Sequence, residues 1–158
     1  MILEDFVMNN HAWALGVDAG TCGEAIKAGV DLLVKAGAAE ERYYQAVLDI
    51  KKEHGPYYVI APGIAMPHAR PESGALKTGF SLVTLKEPVE FGNPDNDPVD
   101  IVLCICAKDK NDLNNSVIID AMTLLENGDI VDELRKAASE DDLKNIFAQV
   151  AAMNEQEE

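Results

Sequence analysis

Apolar positions along this chain recur with two different periods, and the changes of period mark its elements. Residues 13–17 (WALGV) make a short apolar run closed by Asp18 and Gly20, which predicts a first strand. Thr21 then stands three residues ahead of Glu24, the spacing of a capping box. Ala25, Ile26, Gly29, Val30, Leu33 and Val34 follow at helical spacing until Gly37 stops the helix. A second helix is predicted over about 40–53, where Tyr43, Tyr44, Val47, Leu48 and Lys51 repeat at helical offsets. Residues 1–10 show no clear period, although Ile2, Leu3, Phe6 and Val7 can dock as a short amphipathic piece.

After the turn at Gly55 and Pro56 the chain reads as extended over 57–61, Pro62 and Gly63 break it, and residues 64–71 are too proline-rich for a helix. A strand is expected over 78–85, a polar Pro/Asn/Gly/Asp loop over 88–97, and a nearly all-apolar central strand over 99–107. A helix to about residue 126 is expected to turn Ile118, Ile119, Met122 and Leu125 inward and to end at Asn127 and Gly128. Two helices, about 130–136 and 140–153, close the chain, the second opened by Ser139 as N-cap, with 154–158 as a frayed acidic tail. This order predicts an α/β sandwich: a mixed, partly antiparallel sheet covered by helices on both faces, in one domain over 1–153.

Composition narrows the function classes. The 158 residues are 47% hydrophobic and 26% charged, the balance of a folded globular chain, and would bury about 70% of their unfolded surface. No run approaches the ~20 apolar residues that cross a bilayer, and the opening MILEDF carries acids where a signal peptide needs lysines, so a cytoplasmic location is expected. Thirteen Lys and Arg face 28 Asp and Glu, a net charge of -15. That argues against nucleic acid and anionic membrane as partners. It serves solubility, or steers a basic protein partner. Of the three cysteines, Cys104 and Cys106 lie two apart in the central strand and read as small core residues on one face.

Three histidines are the candidates for chemistry. His11 sits in a polar approach to the first strand and reads as solvated. His54 closes the second predicted helix after Lys51 and Lys52, where a cation suits the helix dipole. His68 lies in a loop stiffened by Pro62, Pro67 and Pro71, with Arg70 two residues on. A histidine nucleophile needs a neutral, oriented ring and nearby cationic or N–H donors for the incoming group. Residues 63–71 can meet those demands; a proline-rich loop that carries a histidine by chance is the other reading. The spacing of His11, His54 and His68 matches no metal motif, so no metal site is expected.

The segment APGIAMPHAR at 61–70 resembles the active-site signature of the mannitol- and fructose-type enzyme IIA domains of the bacterial phosphoenolpyruvate-dependent sugar phosphotransferase system. The resemblance spans about 15–150, including KTGFSLVTLK at 77–86 and the segments PVEF (88–91) and DNDPVDI (95–101). The chain is most similar to the ascorbate-specific branch, at GVDLL (29–33), RYYQ (42–45) and HGPY (54–57). The resemblance implies a mannitol-type IIA sandwich. It also implies a phosphoryl relay in which His68 accepts from the histidine-containing phosphocarrier protein and donates to a cysteine of enzyme IIB. Sugar movement belongs to the membrane enzyme IIC, and no metal or organic cofactor is implied. The substrate implied is ascorbate or a related sugar acid or pentitol.

The chain departs from the family at Ala69, where glycine is common, and at 112–116, where the family places a second histidine and this chain has none. Arg70, His54, Lys52 and Asn114 (with Asn115 beside it) are then the candidates to stabilise the phosphoryl group. A regulatory IIA-like binding module with little phosphate turnover is the alternative that the missing histidine suggests.

Overall fold

Residues with no visible period nevertheless begin the fold as a helix. In the computed structural model, which describes the backbone of residues 2–157 and the side chains of residues 2–153, α1 spans Ile2–Asn9. It buries only Leu3 and Val7, too few positions to stamp a period on the sequence. Tertiary contact holds it: the Leu3 N–H donates to Asp120 Oδ2 at 2.7 Å. Strand β1 (Trp13–Val17) and helix α2 (Cys22–Lys35) follow as expected. Thr21 Oγ1 accepts from the Glu24 N–H at 3.2 Å, while Glu24 Oε2 reaches the Gly20 N–H at 2.7 Å, one residue before the cap.

Helix α3 (Arg42–His54) leads to β2 (Val59–Ala61) and to a two-residue strand, β3 (Ile64–Ala65), inside the segment expected to be loop. A 3₁₀ turn at Pro71–Ser73 precedes β4 (Gly79–Val89), and β5 is Val99–Cys106. β4 runs past its expected end and through Pro88. The β4–β5 register breaks between Thr84 and Val89, so the missing proline N–H deprives no ladder partner. The sheet order is β1-β4-β5-β3-β2. β1 runs parallel to β4 and β3 parallel to β5, whereas the β4–β5 and β2–β3 pairs are antiparallel.

After β5 come a single turn α4 (Lys110–Asp112), a π-helical turn at Leu113–Val117, α5 (Ile118–Leu125), α6 (Gly128–Lys136) and α7 (Glu140–Glu157). The expected inward face of α5 is half right: Leu125 is buried and Ile118 packs partly buried against the core, but Ile119 and Met122 are exposed, and Val117, Ala121 and Leu124 are buried instead. A π turn takes an extra residue, and each residue swings the face by about 100°. Asn127 does not simply end that helix. Its Oδ1 accepts from Asp129 N–H (2.9 Å) and Ile130 N–H (3.2 Å) and so caps α6. Ser139 caps α7 as expected, accepting from the Asp142 N–H at 3.2 Å. That helix passes Met153 and runs to Glu157, where a frayed tail was expected; Glu158 lies outside the described residues.

Strand β5 divides the core. Ile101, Leu103 and Ile105 face the layer of α1, α5, α6 and α7, and Val102, Cys104 and Cys106 face α2 and α3. The expected helix–sheet–helix sandwich is therefore present, with the two cysteines on one strand face. Both thiols are free, and burial pushes each up to about 12. α2 approaches this face closely: the Gly29 carbonyl accepts from Ser81 Oγ at 2.7 Å, and a Cβ on Gly29 would run into Cys104 Sγ. Among the described residues no helix is long and apolar enough to cross a membrane.

Candidate active site

The chain leaving β3 turns across the C-terminal end of β5, between the end of α3 and the start of α4. Its course is fixed by main-chain bonds: Met66 N–H to the Tyr58 carbonyl (2.8 Å) and Ile105 N–H to the Pro67 carbonyl (3.1 Å). His68 follows, on the wall of a cavity of about 600 Å³. Its Nδ1 lies 2.8 Å from the Met66 carbonyl oxygen. A carbonyl only accepts, so the ring proton sits on Nδ1 and Nε2 keeps its lone pair. Burial of the ring lowers its pKa from the ordinary 6.5, and the Met66 carbonyl opposes that shift only in part. Near neutral pH this is an uncharged imidazole with one fixed tautomer.

The Tyr57 ring stands edge-on to His68, with centroids 5.7 Å apart and planes at 82°. Arg70 also lines the cavity, and its positive charge acts on the Tyr57 hydroxyl, opposing the rise that burial imposes. His54, Asn114, Lys110 and Glu72 complete the polar lining, over apolar walls from Ile50 and Leu113. In a chain of net charge -15, this lining carries two permanent cations, Arg70 and Lys110, against one carboxylate. Such a wall suits a small, doubly charged anion near an imidazole lone pair.

The structure brings His68, Arg70, His54 and Asn114 together. Lys52 is exposed and absent from the lining, a correction to its candidacy. On a helix, positions 50 and 54 share a face and 52 points away from it. Asn115 turns from the cavity as well: its Nδ2 donates to Asn111 Oδ1 at 2.7 Å. His11 lies at the surface, 4.0 Å from Glu140, with three-quarters of its side chain exposed. Lys110 and Tyr43 are among the residues that escaped the sequence reading, with Tyr57 and Glu72. Lys110 sits one position after Asp109, whose side chain accepts from the Asp112 N–H at 2.7 Å; that cap was the available signal. Tyr43 was legible only as an inward-facing helix residue, whereas its hydroxyl hydrogen-bonds behind His68. Ala69 needs no positive φ, so its methyl replaces a glycine without backbone strain.

The site is thus a proline-framed histidine beside the C-terminal end of the central strand of a mixed α/β sandwich, on a cavity wall with two cations. The family described as "Phosphoenolpyruvate-dependent sugar phosphotransferase system, EIIA 2" matches residues 7–150. The chain belongs to that family. It is 48% identical over 147 residues to the ascorbate-specific PTS system EIIA component of Escherichia coli strain K12, covering 93% of this chain and 96% of the relative. Among solved structures, the mannitol-specific cryptic phosphotransferase enzyme IIA CmtB of Escherichia coli superposes with a TM-score of 0.81 at 37% identity, covering 94% of this chain and 99% of that one. The mannitol enzyme IIA of Escherichia coli, solved in complex with phosphorylated enzyme IIB, gives 0.76 at 31% identity and covers 87% and 94%.

Proposed function

We propose that this protein is the phosphocarrier IIA component of a cytoplasmic sugar phosphotransferase relay, with His68 as the group that carries the phosphoryl. The observation that supports it best is the fixed tautomer: Nδ1 donates to Met66, and Nε2 is left as the nucleophile on a cationic cavity wall. The Nε2 lone pair forms the new N–P bond as the donor's N–P bond breaks, and that electron pair returns to the donor imidazole. The phosphorylated ring then carries a positive charge, which strengthens the Nδ1–H bond to the Met66 carbonyl. In the second transfer an acceptor thiolate attacks phosphorus, and the N–P electron pair returns to Nε2. Catalysis here is alignment and charge stabilisation, and no metal or organic cofactor enters.

Arg70 and Lys110 are the cations we assign to the phosphoryl oxygens, with His54 and Asn114 as further donors. The donor is the histidine-containing phosphocarrier protein, and the acceptor is a cysteine of enzyme IIB, which the complex formed by the mannitol relative supports. The membrane enzyme IIC moves the sugar, and identity to the ascorbate-specific component supports ascorbate or a related sugar acid or pentitol as that cargo. Residues 1–153 are taken as the carrier domain and 154–158 as its acidic tail.

Incubation with phosphoenolpyruvate, enzyme I and the phosphocarrier protein should add one phosphate, labile in acid and stable in base. His68→Ala should take up none. Labelling of that variant, or an unlabelled wild type, removes the relay reading. Labelling with negligible passage to a IIB thiol would favour the regulatory module instead.

A further inference from the structure

Both neighbours of His68 are tied to one residue of the sheet. Ile105, near the end of β5, gives its N–H to the Pro67 carbonyl at 3.1 Å. Its own carbonyl, 2.8 Å from Tyr43 Oη, accepts the phenolic proton, and the same Oη accepts the Ala69 N–H at 3.0 Å. Tyr43 Oη also lies 3.4 Å from the Ala69 carbonyl; a hydroxyl has one proton, and the shorter bond to Ile105 takes it. The Tyr43 side chain is fully buried, anchored in α3 beside Val47 in the core between helices and sheet.

We propose that Tyr43 is a positioning residue for phosphoryl transfer: its hydroxyl bridges Ile105 to Ala69 and so fixes the backbone on the C-terminal side of His68. This rests on His68 being the carrier. The direct Ile105–Pro67 bond fixes the other side, and the imidazole between the two anchors is aimed by the Nδ1–Met66 bond. Without the hydroxyl, the Ala69 N–H and the Ile105 carbonyl lose a partner where water has little access. The strand of loop after His68 then relaxes, and in-line attack by Nε2 is sensitive to displacements of an ångström. Burial raises the Tyr43 pKa, so the group stays protonated and available to bridge through the physiological range.

The test is Tyr43→Phe beside Val47→Ala, a variant that loosens the same core one turn along α3 without removing a polar bridge. Both should lower the melting temperature. Only Tyr43→Phe should slow single-turnover transfer from the phosphocarrier protein, by about tenfold or more, with KM for the donor unchanged. It should also shift the imidazole ¹⁵N resonances of His68, which Val47→Ala leaves in place. Equal rates for wild type and Tyr43→Phe, or equal slowing by both variants, overturn the proposal. Should Tyr43→Phe fail to fold, amide exchange in the wild type decides: a protected Ala69 N–H supports the bridge, and exchange at the free-chain rate refutes it. A wild type that takes up no phosphate sinks the carrier reading itself, a result distinct from labelled protein with an indifferent Tyr43.

Discussion

At the Gly63 end of the His68 loop the holding groups are charged and partly in water; at the Ala69 end they are neutral and buried. Gly63 has φ +79 and exchanges main-chain bonds with Asn96, Asp100 and Ile101 at 2.9 to 3.0 Å. Over it lies Arg135, which grips both oxygens of Asp100 at 3.0 and 2.9 Å and donates to the Pro62 carbonyl at 3.3 Å. These side chains keep 31% and 23% of their surface exposed. The Tyr43 bridge at the other end has none. Charge serves where the loop begins at the surface, because Arg–Asp pairing costs little desolvation there. Beside the His68 imidazole a neutral hydroxyl aligns the backbone without adding a further fixed charge that would bias the ring's protonation.

The comparison can be broken most severely at Gly63. Gly63→Ala forces a left-handed φ on an L-residue and places Cβ 2.6 Å from Arg135 Nη2 and 3.0 Å from Asp100 Oδ1. A loss of about 2–3 kcal/mol is expected, read as a drop in the urea midpoint. Tyr43→Phe should cost about 2 kcal/mol, the low end for two buried groups left without a partner. Its effect should be the same in low salt and in molar salt. Arg135→Met should cost about 0.5–1 kcal/mol in dilute buffer and progressively less as salt is added. An equal salt response for Tyr43→Phe and Arg135→Met would erase the distinction between the two ends.

The smallest effect is in pH. The folded His68 ring binds a proton less readily than the unfolded one, whose pKa is near the ordinary 6.5. Its contribution to stability is therefore complete above that value and declines as pH falls from it through the lowered folded value. Urea midpoints of wild type and His68→Gln between about pH 7.5 and 5 should diverge in that sense, and parallel curves would refute it. The net charge of -15 adds a kinetic expectation: association with a basic donor should slow as salt rises.

Where a signal was local, the residues alone were enough. Thr21 with Glu24, Ser139, and the apolar run of β5 each specify an element through neighbours in sequence, and all three appear where expected. His68 and Arg70 were equally visible, because prolines frame the one and two residues separate the other. Non-local bonds were not. β3 is two residues long and exists only because β2 and β5 flank it. The π turn that rotates α5 carries no composition of its own, so Ile119 and Met122 were assigned to the wrong face.

By itself, then, the sequence determined the layered α/β class, the helix caps, the buried central strand and a histidine in a stiff loop. Those follow from periodicity, capping chemistry and proline's fixed φ, all of which act within a few residues. The tertiary structure alone decided which groups meet around that histidine: Lys110 entering the cavity, Lys52 leaving it, and Tyr43 linking Ile105 to Ala69. The physical reason is that a hydrogen bond or a cavity wall joins residues far apart in the chain. The fold brings them within 3 Å, and no local pattern records the meeting.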